Sequence, residues 1–133
     1  MNVKRRLVAG IVAGIGLLLC ETAAWSQSVS YPNRPIHVIV PFPPGGAVDP
    51  IARSITPKLE EAWGQPVIVD NKPGAATIVG SDFVAKAAPD GYTVILVATS
   101  FTVNPSAYSK LPFDPVKDFA PISLVSRLPN MLV

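Results

Sequence analysis

The stretch VPFPPGGAVDP, residues 40–50, runs from an apolar segment through two prolines and two glycines to an acidic residue. Gly-rich turns between a strand and a helix hold anions. The helix N-terminus carries about half a positive charge and several unpaired N–H donors. The nucleotide readings fail on detail: no Gly-Lys-Ser/Thr ending follows the glycines, and the G-x-G-x-x-G spacing is missing. A carboxylate fits such a turn as readily as a phosphate, while Gly45 and Gly46 equally serve simply to turn the chain. Asp49 has two roles open to it. It caps the following helix, with Pro50 in the first helical position, or it pairs with an ammonium group or a bound hydroxyl. Thr77, Thr99 and Ser100 are short hydroxyl donors at strand and helix ends, as suited to local turns as to a ligand.

Catalytic and metal chemistry find little support. His37 is the single histidine and lies inside the first apolar run, four residues ahead of the glycine loop's start, which suits a satisfied core or edge position. Without it no Ser-His-Asp set forms, and one histidine with no cysteine partner makes no ordinary zinc site. Asp70, Asp82 and Asp90 fall at a strand end, a helix face and a turn, with no acid–base pairing evident. The expectation is a binder with no enzymatic activity, catalytic residue, metal or cofactor.

The first residues follow a different logic. Lys4, Arg5 and Arg6 precede the apolar or glycine run Leu7–Cys20, and small residues follow in ETAAWSQS. That order predicts a secretory signal over residues 1–26, cut after Ser26, with a cut after Ala24 as the rival. Leu18 and Leu19 ahead of Cys20 argue against a lipid anchor. The whole chain has 11 Lys+Arg and 9 Asp+Glu; without Lys4, Arg5, Arg6 and Glu21 the two balance. The basic charge therefore belongs to the leader, and neither nucleic acid nor a membrane surface is an expected partner. Cys20 leaves with the leader, so no disulfide is expected. The remainder is large enough for one modest core. Its apolar ending, APISLVSRLPNMLV, suggests the front part of a longer protein.

Three apolar runs read as strands: Ile36–Pro41, Pro66–Asp70 and Tyr92–Ala98. They are nearly continuous in Val and Ile, as in parallel strands covered on both faces. Between the first two, Ile51, Ile55, Leu59 and Trp63 recur every four residues with Ala52 and Ala62 beside them, and Gly64 supplies a stop. Pro57 predicts a kink or a delayed start. A second helix is expected over Thr77–Ala88, with Ile78, Phe83, Val84 and Ala87 inward, closed by APDGY. After Ser100 the sequence predicts extended surface turns and a fourth strand at Ile122–Val125. The β-α-β-α-β order predicts an α/β, doubly wound, mostly parallel sheet in the order 2-1-3. Its first and third loops, FPPGGAVD and TSFTVNP, would then share one rim with NKPGAAT.

Three segments appear in this order: YPNRPIHVIVPFPPGGAVDPIAR, LEEAWGQPVIVDNKPGAATIVGSDFVAKAAPDGYTVIL and NPSAYSKLPFDPVKDFAPISLV. Together, over residues 31–133, they resemble the Bug (TctC-like) family, the periplasmic solute receptors of tripartite tricarboxylate transporters. The resemblance implies an incomplete type II periplasmic-binding-protein (Venus flytrap) lobe. Residues 27–125 would form the N-terminal α/β lobe, and 126–133 would begin the crossing to a second one. It implies periplasmic capture of a small carboxylate, such as a di- or tricarboxylate or an amino acid, for membrane permease subunits. A ligand-sensing binder is the alternative, and an α/β enzyme with its catalytic residues elsewhere is a further one. Carried over by motif, the ligand-binding positions are Phe42, Pro43, Gly45, Gly46, Ala47, Asp49, Ala75, Ala76, Thr77, Thr99 and Ser100. Family members frequently have glycine where this chain has Ala76.

Overall fold

The structure is a computed structural model that describes residues 30–127. The expected leader and the segment 128–133 lie outside the described residues. All elements below belong to the compact unit Tyr31–Val133.

Three parallel strands form the sheet: β1 (Ile36–Val40), β2 (Val67–Asn71) and β3 (Thr93–Ile95), in the order β2-β1-β3. The central place of β1 and the parallel sense are as expected. Their cause is visible in β1, where Ile36, Val38, Ile39 and Val40 are all buried. A strand apolar at nearly every position suits a place covered on both faces, and right-handed crossovers through the two helices set its neighbours on either side. The register pairs His37 with Ile68 and Thr93, and Ile39 with Asp70 and Ile95. β3 is shorter than the expected Tyr92–Ala98. It makes one last ladder bond, from Leu96 N–H to the Ile39 carbonyl at 3.0 Å, before the chain turns away.

Helix α1 (Asp49–Trp63) covers one face of the sheet. Its buried stripe is Val48, Ala52 and Thr56, with Leu59 packed beside it, rather than Ile51, Ile55 and Trp63. The stripe is rotated by one residue because Ala52, with no side chain beyond Cβ, lets the helix lie close on Val38 and Val40. Ile51 and Ile55 flank the contact and Trp63 is exposed. The helix starts at Asp49, so Pro57 does not delay it. The Thr56 hydroxyl faces the carbonyl of Arg53 at 3.5 Å, the group that Pro57 leaves without its N–H donor. Gly64 closes the helix at φ 64°, its N–H bonded to the Glu60 carbonyl at 2.8 Å.

The opposite face carries α2 (Ile78–Ala85), preceded by a 3₁₀ turn over Ala75–Thr77. Gly80 and Ser81 are its buried residues, whereas Phe83, expected inward, is half-exposed and sits under the Lys72 ammonium at 4.2 Å. The close approach of α2 is the reason. A Cβ on Gly80 would lie 2.7 Å from Pro41 Cβ and 2.8 Å from the Lys72 carbonyl oxygen.

Two further expectations are corrected. Thr99–Ala107 is not a loop but a third helix, α3, with Pro105 inside it. Its Thr, Val, Asn and Pro have low helix propensity, so tertiary contacts outweigh the local signal. Ile122–Val125 is not a strand: residues 119–127 carry no regular structure, and Ile122 and Leu124 are exposed. The chain before it is held by a small aromatic cluster of Phe101, Phe113 and Phe119, with ring centroids 5.1–6.1 Å apart.

The Gly80 contact yields a prediction. Gly80→Ala should lower stability by about 1–3 kcal/mol, the usual cost of overpacking. Urea unfolding of the full-length protein measures it, and an unchanged midpoint would show that α2 has room to shift.

Candidate functional site

Because all three strands run the same way, the loops after β1, β2 and β3 emerge at one end of the sheet. Backbone and side-chain bonds join them. Lys72 N–H donates to the Val40 carbonyl at 2.9 Å, and Asn71 Nδ2 donates to the Phe42 carbonyl at 3.1 Å. Asn104 Nδ2, from α3, donates to the Ala76 carbonyl at 2.9 Å and lies 3.3 Å from Thr77 Oγ1.

The glycine loop is shaped from inside. Gly45 adopts φ 77°, a left-handed conformation that glycine takes without Cβ strain. Gly46 N–H bonds the Pro43 carbonyl at 3.1 Å, and Asp49 N–H bonds the Gly46 carbonyl at 3.2 Å. Asp49 is the first residue of α1 rather than its cap; Val48 holds the cap position and makes no side-chain cap bond. The reason is that the Asp49 carboxylate turns back into the loop. Oδ2 accepts from Gly45 N–H and from Arg53 Nε, both at 3.0 Å, and Oδ1 accepts from Asn71 Nδ2 at 2.9 Å. The Asp49 side chain is only 6% exposed. These donors hold its pKa at about 2, with the Arg53 bond the largest cause, then the Gly45 N–H and Asn71. Arg53 in turn donates from Nη2 to Asn71 Oδ1 at 3.1 Å.

The second loop has an unusual backbone. Ala75, Ala76 and Thr77 all have positive φ, at 44°, 50° and 79°. For residues with a Cβ this costs on the order of 1–2 kcal/mol each. Strain of this kind concentrates at functional sites. Ala75 and Ala76 are exposed, and Thr77 is buried. In the third loop Thr99 is exposed at the start of α3. Ser100 Oγ is shut off from solvent and has no hydrogen-bond partner among the described residues.

The predicted positions thus sort by role. Phe42 packs against the core and offers its carbonyl to Asn71; Pro43 and Ala47 are exposed on the loop. Asp49 is occupied by internal donors. Ala75, Ala76 and Thr77 form the left-handed turn, tied to α3, which begins with Thr99 and Ser100. Arg53, Asn71 and Asn104 were not anticipated as site residues. Arg53 had a signal, its i,i+4 spacing from Asp49. An amide closing the apolar run VIVDN was a weaker one for Asn71.

His37 lies at the other end of the sheet, half-exposed, with Nδ1 2.7 Å from Asp70 Oδ2. It borders a 460 Å³ concavity in which Arg34 pairs with Asp90 at 2.6 Å. Among the described residues no cluster of His, Cys, Asp and Glu has metal-ligating geometry, and no helix is long and apolar enough to cross a membrane.

A parallel sheet ordered β2-β1-β3, with its polar loops gathered at the carboxyl ends of the strands, defines an incomplete lobe of the periplasmic-binding-protein class. Residues 51–133 match the family described as the tripartite tricarboxylate transporter family receptor, and the chain belongs to that family. It is 41% identical over 135 residues to protein BugT of Bordetella pertussis, covering 100% of this chain and 40% of that protein. Among solved structures it resembles MatC from Rhodopseudomonas palustris with bound malate. That match has TM-score 0.68 and 38% identity, over 71% of this chain and 33% of that one. R. palustris Rpa4515 with adipate matches at TM-score 0.61 and 33% identity, over 65% and 29%. The chain spans 30–40% of the length of the curated relatives it matches.

The carboxylate network yields a pH prediction. The folded pKa of Asp49 is depressed from 3.8 to about 2. Its contribution to stability is therefore full above the unfolded value and lost as pH falls through about 2. Asp49→Asn should be less stable than the parent at pH 7, and the gap should shrink as pH falls from about 4 towards 2. Asp114, also held low, by the N–H groups of Val116 and Lys117, contributes to both proteins and cancels. Urea midpoints at stepped pH measure the gap; one that stays constant down to pH 2 would contradict the assignment.

Proposed function

We propose that this chain carries the ligand-gripping loops of one lobe of a periplasmic receptor. The receptor captures a small carboxylate and presents it to the membrane subunits of a tripartite tricarboxylate transporter. The observation that carries the proposal is the convergence of three strand-end loops on one rim, with the acidic residue of that rim already neutralised. Asp49 is bonded to Arg53, Gly45 and Asn71, so it presents no free carboxylate to repel an anionic ligand. The N–H groups of Gly45 and Gly46 are bonded within the loop. The grip on a ligand then falls to the backbone after Gly46, to the Ala75–Thr77 turn and to the exposed hydroxyl of Thr99. The bound malate and adipate of two structural neighbours support the class of ligand.

The test is a thermal-unfolding screen of the full-length protein with malate, adipate and citrate. A ligand at a hundred times its Kd should stabilise the folded form by about 2.7 kcal/mol. No shift with any of them, in a protein that unfolds cooperatively, would count against carboxylate capture. Export belongs to the same proposal. The mass of protein from the periplasmic fraction should correspond to a chain beginning at Gln27, and a mass retaining residues 1–26 would contradict the leader.

A further inference from the structure

We propose that Asn104 is a positioning residue that keeps the Ala75–Thr77 turn in its left-handed form, and thereby sets the second loop of the rim. The inference rests on the carboxylate reading only for its effect on binding; the hold on the turn stands on the geometry below.

The turn has little of its own to hold it. Its backbone closes with one bond, from Ile78 N–H to the Ala75 carbonyl, and the Thr77 side chain makes no cap bond to α2. The backbone bond spanning it, from Val79 N–H to the Gly74 carbonyl, is long at 3.5 Å. Three successive residues with a Cβ nonetheless lie at positive φ, a region that side chains disfavour. A local conformation that the local sequence disfavours persists only when the surroundings over-determine it. Asn104 is the surrounding group that reaches it. Its amide is 3% exposed, comes from a helix 28 residues further along the chain, and meets the turn at two points: the Ala76 carbonyl at 2.9 Å and Thr77 Oγ1 at 3.3 Å.

The chemistry of the contact is specific to an amide. The Ala76 carbonyl has no hydrogen to give, so only the NH₂ end of Asn104 satisfies it. Aspartate, of the same size, would set a carboxylate against that carbonyl. The same helix opens with Thr99 and Ser100, so one side chain links the turn to the third loop and the two keep a fixed spacing. Ala76 matters here because glycine would take φ 50° without the Cβ penalty. With alanine in place, the turn depends on Asn104.

The experiment combines spectroscopy with binding in the full-length protein. In isotope-labelled parent protein, the ¹³Cα and ¹³Cβ shifts of Ala75, Ala76 and Thr77 should carry the positive-φ signature. In Asn104→Ala that signature should fade, and affinity for malate and adipate should fall by about tenfold, as expected when two ordinary hydrogen bonds no longer hold the turn. Adding Ala76→Gly should restore most of the affinity, because glycine removes the strain that Asn104 opposes. A merely structural role predicts lower stability with no such rescue. Retention of the positive-φ shifts in Asn104→Ala, or failure of Ala76→Gly to recover binding to a ligand the parent binds, would overturn the proposal. Should Asn104→Ala unfold the lobe, Asn104→Ser retains a small polar side chain too short to reach both acceptors. Loss of cooperative unfolding in both variants would assign Asn104 to the core and overturn the proposal equally. If the parent binds neither malate nor adipate, yet Asn104→Ala loses the shifts, the positioning role is supported and the carboxylate reading fails alone.

Discussion

The Asp49 carboxylate is the point on which the glycine loop depends. It is buried at the first turn of α1, where an unpaired charge would be costly, and three donors from three places meet it: the loop, the helix and β2. The Gly45 N–H closes the loop, Arg53 supplies the opposite charge from one turn along, and Asn71 pins the assembly to the sheet. Each partner has a second reason to stay. Gly45 takes the positive φ that the turn needs, and Asn71 also bonds the Phe42 carbonyl and Arg53. A strand end, a loop and a helix start are thereby fixed relative to one another by one charged group.

The second loop solves the same problem by a different route. It has no buried charge at its centre, and its backbone is strained rather than eased by glycine. An amide from a distant helix supplies the constraint instead. Asn71 and Asn104 thus act alike, each bonding a backbone carbonyl of a loop it does not belong to. Both are amides for the same physical reason: a carbonyl left in a protein interior needs a donor, and an amide donates without bringing a charge that must itself be paired. Loops tied to their neighbours in this way keep a fixed spacing along the rim.

How much of this was legible beforehand varies with the range of the forces involved. The parallel sense followed from three nearly continuous apolar runs, and the order from the β-α-β-α-β succession of elements joined by right-handed crossovers. The glycine loop was legible as a strand-to-helix turn, and Gly64 as a stop. On α1, Ala52 and Leu59 lie inward as expected, but Ile51, Ile55 and Trp63 do not, because periodicity weighs the bulky side chains while the closest contact is made by the small Ala52. Phe83 was misplaced for a related reason: Gly80 lets α2 approach until no ring fits beneath it. The helix Thr99–Ala107 was invisible because its residues are poor helix formers, and the contacts that hold it come from far along the chain.

The sequence by itself determined the class of the fold, the family and the place of the rim, since these rest on local hydrophobic pattern and on motifs written contiguously. Tertiary structure alone decided which groups at the rim are committed to the protein. Asp49 looked like a cap or a ligand contact until Arg53 and Asn71, four and 22 residues away, were seen to surround it. Ala75–Thr77 looked like an ordinary loop until its backbone proved left-handed and tied to Asn104. A hydrogen bond forms between groups near in space, and sequence distance carries no information about that.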